Sequence, residues 1–204
     1  MTQYCIRPVH PSDVDYLIQL DQTENPYPWG ANLVQQSIQQ QGGLCATNGL
    51  SAQKRYLWLA EKATDKVNLK REICGFLCSS MMLDETELEL ILVAKSERRQ
   101  GIAQRLIETW LNFARQNAVS RAMLEVRSSN NGAIRLYQQQ GFQQVGVRKN
   151  YYAMPSSTNA MTKEGAITKE GAITKEGAIT KEDAILMTAQ LLPLQSLNDQ
   201  SLTY

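Results

Sequence analysis

Apolar residues alternate with polar ones in TQYCIRPV (Thr2–Val9), which predicts a short first strand. Val14, Leu17, Ile18 and Leu20 then recur at helical spacing, with Ser12 or Asp13 placed to cap the helix they form. NPYPWG interrupts that helix, and a second amphipathic stretch, ANLVQQSIQQ, precedes a loop around Gly42 and Gly43. Three runs suited to neighbouring antiparallel strands follow, Tyr56–Lys62, Glu72–Leu83 and Glu87–Val93, joined by the polar segments ATDKVNLKR and DET. After Val93 the period changes. Ile102, Leu106, Ile107, Trp110, Leu111 and Ala114 predict a helix from about Gly101 to Gln116. A strand at Arg121–Ser128 leads to a short helix with Asn130 in the capping position and Ala133, Ile134 and Tyr137 on its apolar face. Gly141 is placed to end that helix, and Phe142 opens the strand FQQVGVRKNYYAM. The pattern is mixed α/β, with antiparallel strands first and a strand–helix–strand unit in the middle.

The segment TKEGAI occurs three times over Thr162–Ile179, and a fourth copy, TKEDAI, spans Thr180–Ile185. One isoleucine per copy buries too little for a β-solenoid. Lysine, glutamate and alanine favour a helix, but a glycine in each copy costs roughly 1 kcal/mol relative to alanine. A solvated loop and a partly formed helix both fit. In the fourth copy Asp183 replaces glycine and ILM follows, so DAILMTAQL predicts a final strand. The repeat, at about residues 155–182, then extends the last hairpin of a single domain over residues 1–192, and 193–204 form a loose polar tail.

The 204 residues are 43% hydrophobic and 20% charged, enough to bury a core and too apolar for a disordered chain. The formal charge is +1, so no global field recruits nucleic acid or a membrane surface. No apolar run approaches the ~18 residues of a spanning helix. MTQYCIRPVH lacks a basic segment followed by an apolar one, so a cytoplasmic protein is expected. His10, the one histidine, leaves little room for a histidine-based triad or a zinc site. Cys74 and Cys78 lie four apart in an apolar strand, a spacing that places both on one face as core residues. No metal is expected.

The segment ERRQGIAQRLI joins an apolar strand to an amphipathic helix. A glycine there lets backbone amides converge, and the helix N-terminus adds unsatisfied N–H groups and partial positive charge. With Arg98 and Arg99 alongside, this is a candidate anion cradle, and an ordinary solvated turn is the alternative. It is neither a P-loop nor GxGxxG, since GxxxxGK[ST] is absent and Ala103 takes the second glycine position.

R-x-x-G-x-A over Arg98–Ala103, LEVRSSNNGAIRLYQQQGF, VGVRKNYY and EDAILM occur in that order, and together they resemble the GNAT superfamily of N-acetyltransferases. Within it they are most similar to the bacterial enzymes that acetylate the N-terminal alanine of a small-subunit ribosomal protein. The likeness runs from about Gln3 to Leu191, is densest over Glu87–Tyr152, and touches the PYPWG loop. It departs at the TKEGAI insertion, at longer loops near Gly42 and Val67, and at Ala103, where the family usually has glycine.

The resemblance implies a GNAT fold, a mixed and largely antiparallel sheet with a central splayed strand pair and flanking helices. It also implies acetyl-CoA as cosubstrate, its pyrophosphate on the amides of Arg99, Gln100, Gly101, Ile102, Ala103 and Gln104. The pantetheine would run beside Ile91, Leu92 and Val93, and Asn130 matches a position that contacts the cofactor. From the residues alone, a helix cap explains Asn130 as well.

Acetyl transfer to an amine needs a base for the ammonium and an acid for the leaving thiolate. Glu125 stands between Leu124 and Val126 on a strand suited to burial, and partial desolvation strengthens a carboxylate as a base. A structural ion pair, with Arg127 or another neighbour, is the alternative. Tyr137 lies on the following helix, where an aromatic core contact is the alternative, and the resemblance makes Glu125 the base and Tyr137 the acid. On the acceptor side, Trp29 matches the family's loop, although a hydrophobic staple explains it equally. Tyr152 or its neighbour Tyr151 would line the same groove, and alternation admits only one of the two. The implied partner is the N-terminal segment of a ribosomal protein, without direct nucleic-acid contact. The oligomeric state stays open.

Overall fold

In the computed structural model, which describes residues 4–42, 45–47, 51–63, 71–153 and 181–192, the chain opens with strand β1 (Tyr4–Pro8). A 3-10 turn at Pro11–Asp13 leads into helices α1 (Val14–Glu24) and α2 (Ala31–Gln39). Strands β2 (Cys45–Thr47), β3 (Ser51–Ala63), β4 (Arg71–Met82) and β5 (Glu85–Val93) follow. Helix α3 (Ile102–Gln116), strand β6 (Arg121–Arg127) and helix α4 (Asn131–Gln139) form the middle unit, and β7 (Gln143–Ala153) and β8 (Lys181–Gln190) complete the sheet. The strand order is β1-β3-β4-β5-β6-β8-β7, with β2 beside β3. Every pairing between these strands is antiparallel except β5 with β6.

The sheet is covered on both faces. Leu106, Ile107, Trp110 and Leu111 of α3 pack with Leu77, Leu124, Tyr137 and Phe142 on one side. Leu17 of α1 and Val34 and Ile38 of α2 pack with Leu57, Leu59 and Phe76 on the other. The indole of Trp110, fully buried, donates to Thr86 Oγ1 at 3.0 Å, and that hydroxyl donates to the Ser80 carbonyl at 2.7 Å. This chain satisfies an N–H that would otherwise cost 1–3 kcal/mol (roughly) to bury.

The parallel pair is short. Glu85 to Leu88 match Arg121 to Leu124, and the ladder stops there. On β5 the next residue, Glu89, is a bulge, because Ser79 pairs Leu88 while Cys78 already pairs Leu90. Beyond it β5 continues to Val93 beside β4, and β6 continues to Arg127 beside β8. The sheet therefore parts in its middle, the splayed pair expected of the GNAT fold.

Four local expectations need correction. Neither Ser12 nor Asp13 caps α1 through its side chain. Arg7 grips both Asp13 oxygens, at 2.7 and 2.9 Å, and the carboxylate also accepts from the His10 amide, so charge-assisted partners hold it. Cys74 and Cys78 lie on opposite faces, Cys74 against the α3 layer and Cys78 against the α1–α2 layer. The cause is a bulge at Cys74, since Ala60 pairs Gly75 and Glu61 already pairs Ile73. The strand β2 falls within the segment read as a loop near Gly43. Tyr151 and Tyr152 do not point apart. Their rings meet edge to face with centroids 5.0 Å apart, because β7 is irregular between Arg148 and Tyr152 and Asn150 has φ +54°.

Other local readings match. Asn130 caps α4, its side chain accepting from the Ala133 amide at 3.2 Å, and Gly141 follows the helix at φ +89°. The three TKEGAI copies lie outside the described residues, as do the tail and the ATDKVNLKR loop from residue 64 on. In the fourth copy, Asp183 accepts from the Asn150 amide at 2.8 Å, at the left-handed kink of β7. Glu182 accepts from the Ser129 amide at 2.6 Å and from Arg127 at 3.2 Å. The residue that distinguishes this copy from the others is therefore a contact residue.

Candidate active site

At the parting of β5 and β6 the chain turns into α3 through a second 3-10 turn, Lys95–Glu97. Arg99 at φ +65° and Gly101 at φ +78° bend the backbone between them. The first helical bond of α3 runs from the Arg105 amide to the Gly101 carbonyl at 3.1 Å. Among the described residues, no backbone amide from Arg99 to Gln104 donates a hydrogen bond. A run of free N–H groups at the N-terminus of a helix of this length is a site for an anion such as a pyrophosphate. Arg98 does not stand beside it as expected. Its guanidinium turns back to the Val93 carbonyl at 3.1 Å and to Glu24 at 3.4 Å, and Glu24 also accepts from the Lys95 amide at 2.9 Å. Arg99 stays exposed next to the free amides. Beneath the turn, buried Glu97 accepts from Tyr4 at 2.8 Å and pairs with Lys62.

Across the opening, Glu125 projects from β6, its side chain 21% exposed, and Arg148 of β7 holds one oxygen at 2.9 Å. The ion pair that is the alternative for Glu125 is thus formed, with Arg148, while Arg127 pairs with Glu182. Tyr137 of α4 is buried against Phe142, and burial, with the nearby Tyr152 second, raises its phenol well above the ordinary value. It therefore carries its proton at any physiological pH. Tyr152 is raised as well, by desolvation first and then by the Glu125 charge, so it stands within electrostatic reach of Glu125 on one side and of Tyr137 on the other.

Glu87 joins them from β5. Desolvation, and after it the negative charges of Glu125 and Glu89, hold its carboxyl above the ordinary range, with Arg148 opposing. In the parallel register Glu87 faces Met123, two residues before Glu125, so both carboxylates share one face of the parting pair. The alternation in ELELILV placed Glu87 on a strand but carried no sign of this neighbour.

The loop between α1 and α2 closes the other side. Asp21, fully buried, accepts from the Asn25 side chain at 2.8 Å and the Gly30 amide at 3.0 Å, which fixes the loop. Trp29 packs, partly buried, against the core below α1 and α2. The aromatic that crosses towards β6 is Tyr27, whose ring lies 3.6 Å from the Arg127 guanidinium. Two flanking prolines in NPYPWG were the sequence signal for an outward ring there. The structure thus places Tyr152 within electrostatic reach of both Glu125 and Tyr137, the free amides at the opening's rim, and Trp29 beneath the loop. Asn130 caps α4.

The model of the acetyltransferase (GNAT) family matches residues 14–142. The chain belongs to that family. Among curated relatives of this GNAT chain, the ribosomal protein bS18-alanine N-acetyltransferase of Haemophilus ducreyi is 32% identical over 72% of the chain and 87% of its own length. The enzyme of the same name from Salmonella typhimurium is 29% identical over 69% and 82%. Among solved structures, the ribosomal-protein-S18-alanine N-acetyltransferase of Escherichia coli superposes with a TM-score of 0.65 at 22% identity, covering 93% of this chain and 94% of its own. The family match spans β5, α3, β6 and α4, the elements that carry the free amides, Glu125 and Tyr137 in this GNAT domain. Among the described residues no cluster of His, Cys, Asp or Glu could hold a metal ion, and no helix is long and apolar enough to cross a membrane.

Proposed function

We propose that the protein transfers the acetyl group of acetyl-CoA to the N-terminal α-amine of a protein, with the N-terminal alanine of a small-subunit ribosomal protein as acceptor. The observation that carries this reading is the opening itself. Free amides at its rim, a carboxylate on one strand and a protonated phenol on the adjacent helix supply the anion site, base and acid that amide formation from a thioester requires. The names of the curated relatives support the acceptor.

Acetyl-CoA fits the residues present. The amides of Arg99–Gln104 would hold its pyrophosphate, and the stretch Ile91–Val93, which among the described residues has no partner strand on its β6 side, would take its pantetheine. Asn130, already a cap through its oxygen, would border the cofactor through its amide nitrogen. When bound, the cosubstrate supplies an acyl group activated as a thioester. Glu125 takes the proton of the acceptor ammonium, directly or through one water, with its second oxygen free of protein partners among the described residues. An α-amine, with a reference pKa of about 7.7–8.0 against about 10.4 for lysine, asks little of such a base. Tyr137 returns a proton to the departing thiolate. Trp29, Tyr27 and Tyr152 border the acceptor side.

The test is mass spectrometry of acetyl-CoA reactions offered peptides that begin with Ala, Ser, Met or Gly, beside a blocked peptide with an internal lysine. Acetylation at the first residue, fastest for Ala, is expected. Modification of the lysine alone would overturn the reading.

A further inference from the structure

Arg127 makes an arrangement that catalysis does not explain. It follows Glu125 by two on β6, and so shares its face of the sheet. Its guanidinium lies 3.6 Å from the centroid of the Tyr27 ring and 4.2 Å from that of Tyr152, and it donates to Glu182 at 3.2 Å. Three segments distant in sequence meet on this one side chain of β6: the α1–α2 loop, β7 and β8. The side chain is only 19% exposed, and Glu182 is held from behind by the Ser129 amide and the Ser128 hydroxyl. A guanidinium is flat and can present a face to each ring while its edge forms an ion pair. A lysine ammonium has no plane to stack.

We infer that Arg127 is a positioning residue that locks the Tyr27 loop and the Tyr152 segment onto the strand carrying Glu125, so that acceptor binding depends on it and cofactor binding does not. The inference rests on the peptide-acetyltransferase reading above. Among the described residues, the loop's other ties are the hydrogen bonds of Asp21 and Asn25 and the packing of Trp29 on the core beneath it, and none of these reaches β6. Arg127 is the contact that sets the loop's distance from the catalytic strand. The free amides of Arg99–Gln104 lie on the turn into α3, which Arg127 does not touch.

The experiment compares R127K, R127A, Y27F and Y27A in the full chain by two readouts. Steady-state kinetics with an Ala-initiated peptide should show KM for the peptide raised about tenfold in R127A and R127K, a loss of about 1.4 kcal/mol. The kcat and the acetyl-CoA Kd should stay within about twofold. Y27F keeps the ring and should leave the exchange of the loop amides as in the wild type, and Y27A should match R127A without adding to it in the double variant. Hydrogen exchange at the Tyr27 and Gly30 amides, which are bonded to Asn25 and Asp21, should quicken in R127A, while the amides of α3 stay protected.

Wild-type behaviour of R127K would overturn the stacking role and leave the ion pair as the cause. Unchanged exchange in R127A would overturn the clamp altogether, and faster exchange with an unchanged peptide KM would overturn its part in acceptor binding. If the wild type acetylated no peptide, the acceptor role would fall with the proposed function, and exchange would still decide whether the clamp exists.

Discussion

Replacing Gly75 by alanine puts a single methyl group between two strands of the site. Gly75 pairs Val93 on β5 and follows the Cys74 bulge of β4 against β3. A Cβ built there would meet the Leu92 carbonyl oxygen at 2.6 Å and the Val93 Cα and Cγ2 at 3.2 Å. The first contact is with backbone, so no rotamer relieves it, and the end of β5 must move by several tenths of an ångström. Overpacking of this kind costs about 1–3 kcal/mol. Alanine in place of glycine returns about 0.4–1 kcal/mol by restricting the unfolded chain. The net loss is about 1–2 kcal/mol, or roughly 2–8 °C in Tm for a chain of this size.

The same shift displaces Leu92 and Val93, whose backbone is expected to meet the pantetheine, so acetyl-CoA affinity should fall with stability. Gly132→Ala is the control, because its Cβ would meet nothing closer than 3.9 Å and it sits in the first turn of α4. Urea unfolding and calorimetric titration with acetyl-CoA measure both effects. A Gly75→Ala protein with wild-type stability and affinity would refute both the close approach and the role of this strand end.

Glu125→Gln keeps the shape but removes the base, so peptide turnover should drop most near neutrality and partly recover at alkaline pH, read from a pH–rate profile. Tyr137→Phe should lower kcat with acetyl-CoA affinity unchanged by calorimetry, since it removes a proton donor. Asp183→Gly turns the fourth repeat into a copy of the others and removes the acceptor for the Asn150 amide, costing about 1 kcal/mol in urea unfolding. Acid should destabilise the protein through Glu97 and Glu182, whose carboxyls are held low, by Lys62 and then Tyr4 in the first and by Ser129 and then Arg127 in the second. Their contribution is present above the unfolded carboxylate value of about 4.3 and is lost as pH falls through the lower native values, so Glu182→Gln should flatten the acid limb of a stability–pH curve.

The sequence was most legible where one physical signal decided the structure. The stripe on α3 could face only a core, and Asn130 and Gly141 mark the ends of α4 by their own backbone chemistry. It was silent where the outcome depended on distant partners. Arg98 and Arg99 look alike in the chain, yet only Arg98 has Glu24 within reach, across 74 positions. Glu125 had two arginines to choose from, and Glu182, on the last strand, took Arg127 and left Arg148 for it. The Cys74 bulge has no local signature, because an extra residue in one strand shows only against its partner. In PYPWG, Trp29 drew attention by type, but backbone direction through the two prolines turned Tyr27 towards β6 and Trp29 towards the core.

The anchoring of β8 by Glu182 and Asp183 bears on heredity as much as on folding. A tract of near-identical units in a gene gains and loses copies when replication slips. Each in-frame event here adds or removes a whole TKEGAI unit ahead of the anchor. The copy that enters the sheet is marked by its aspartate and by the ILM that follows, so a change in the number of units before it is expected to leave the register of β8 against β6 unchanged.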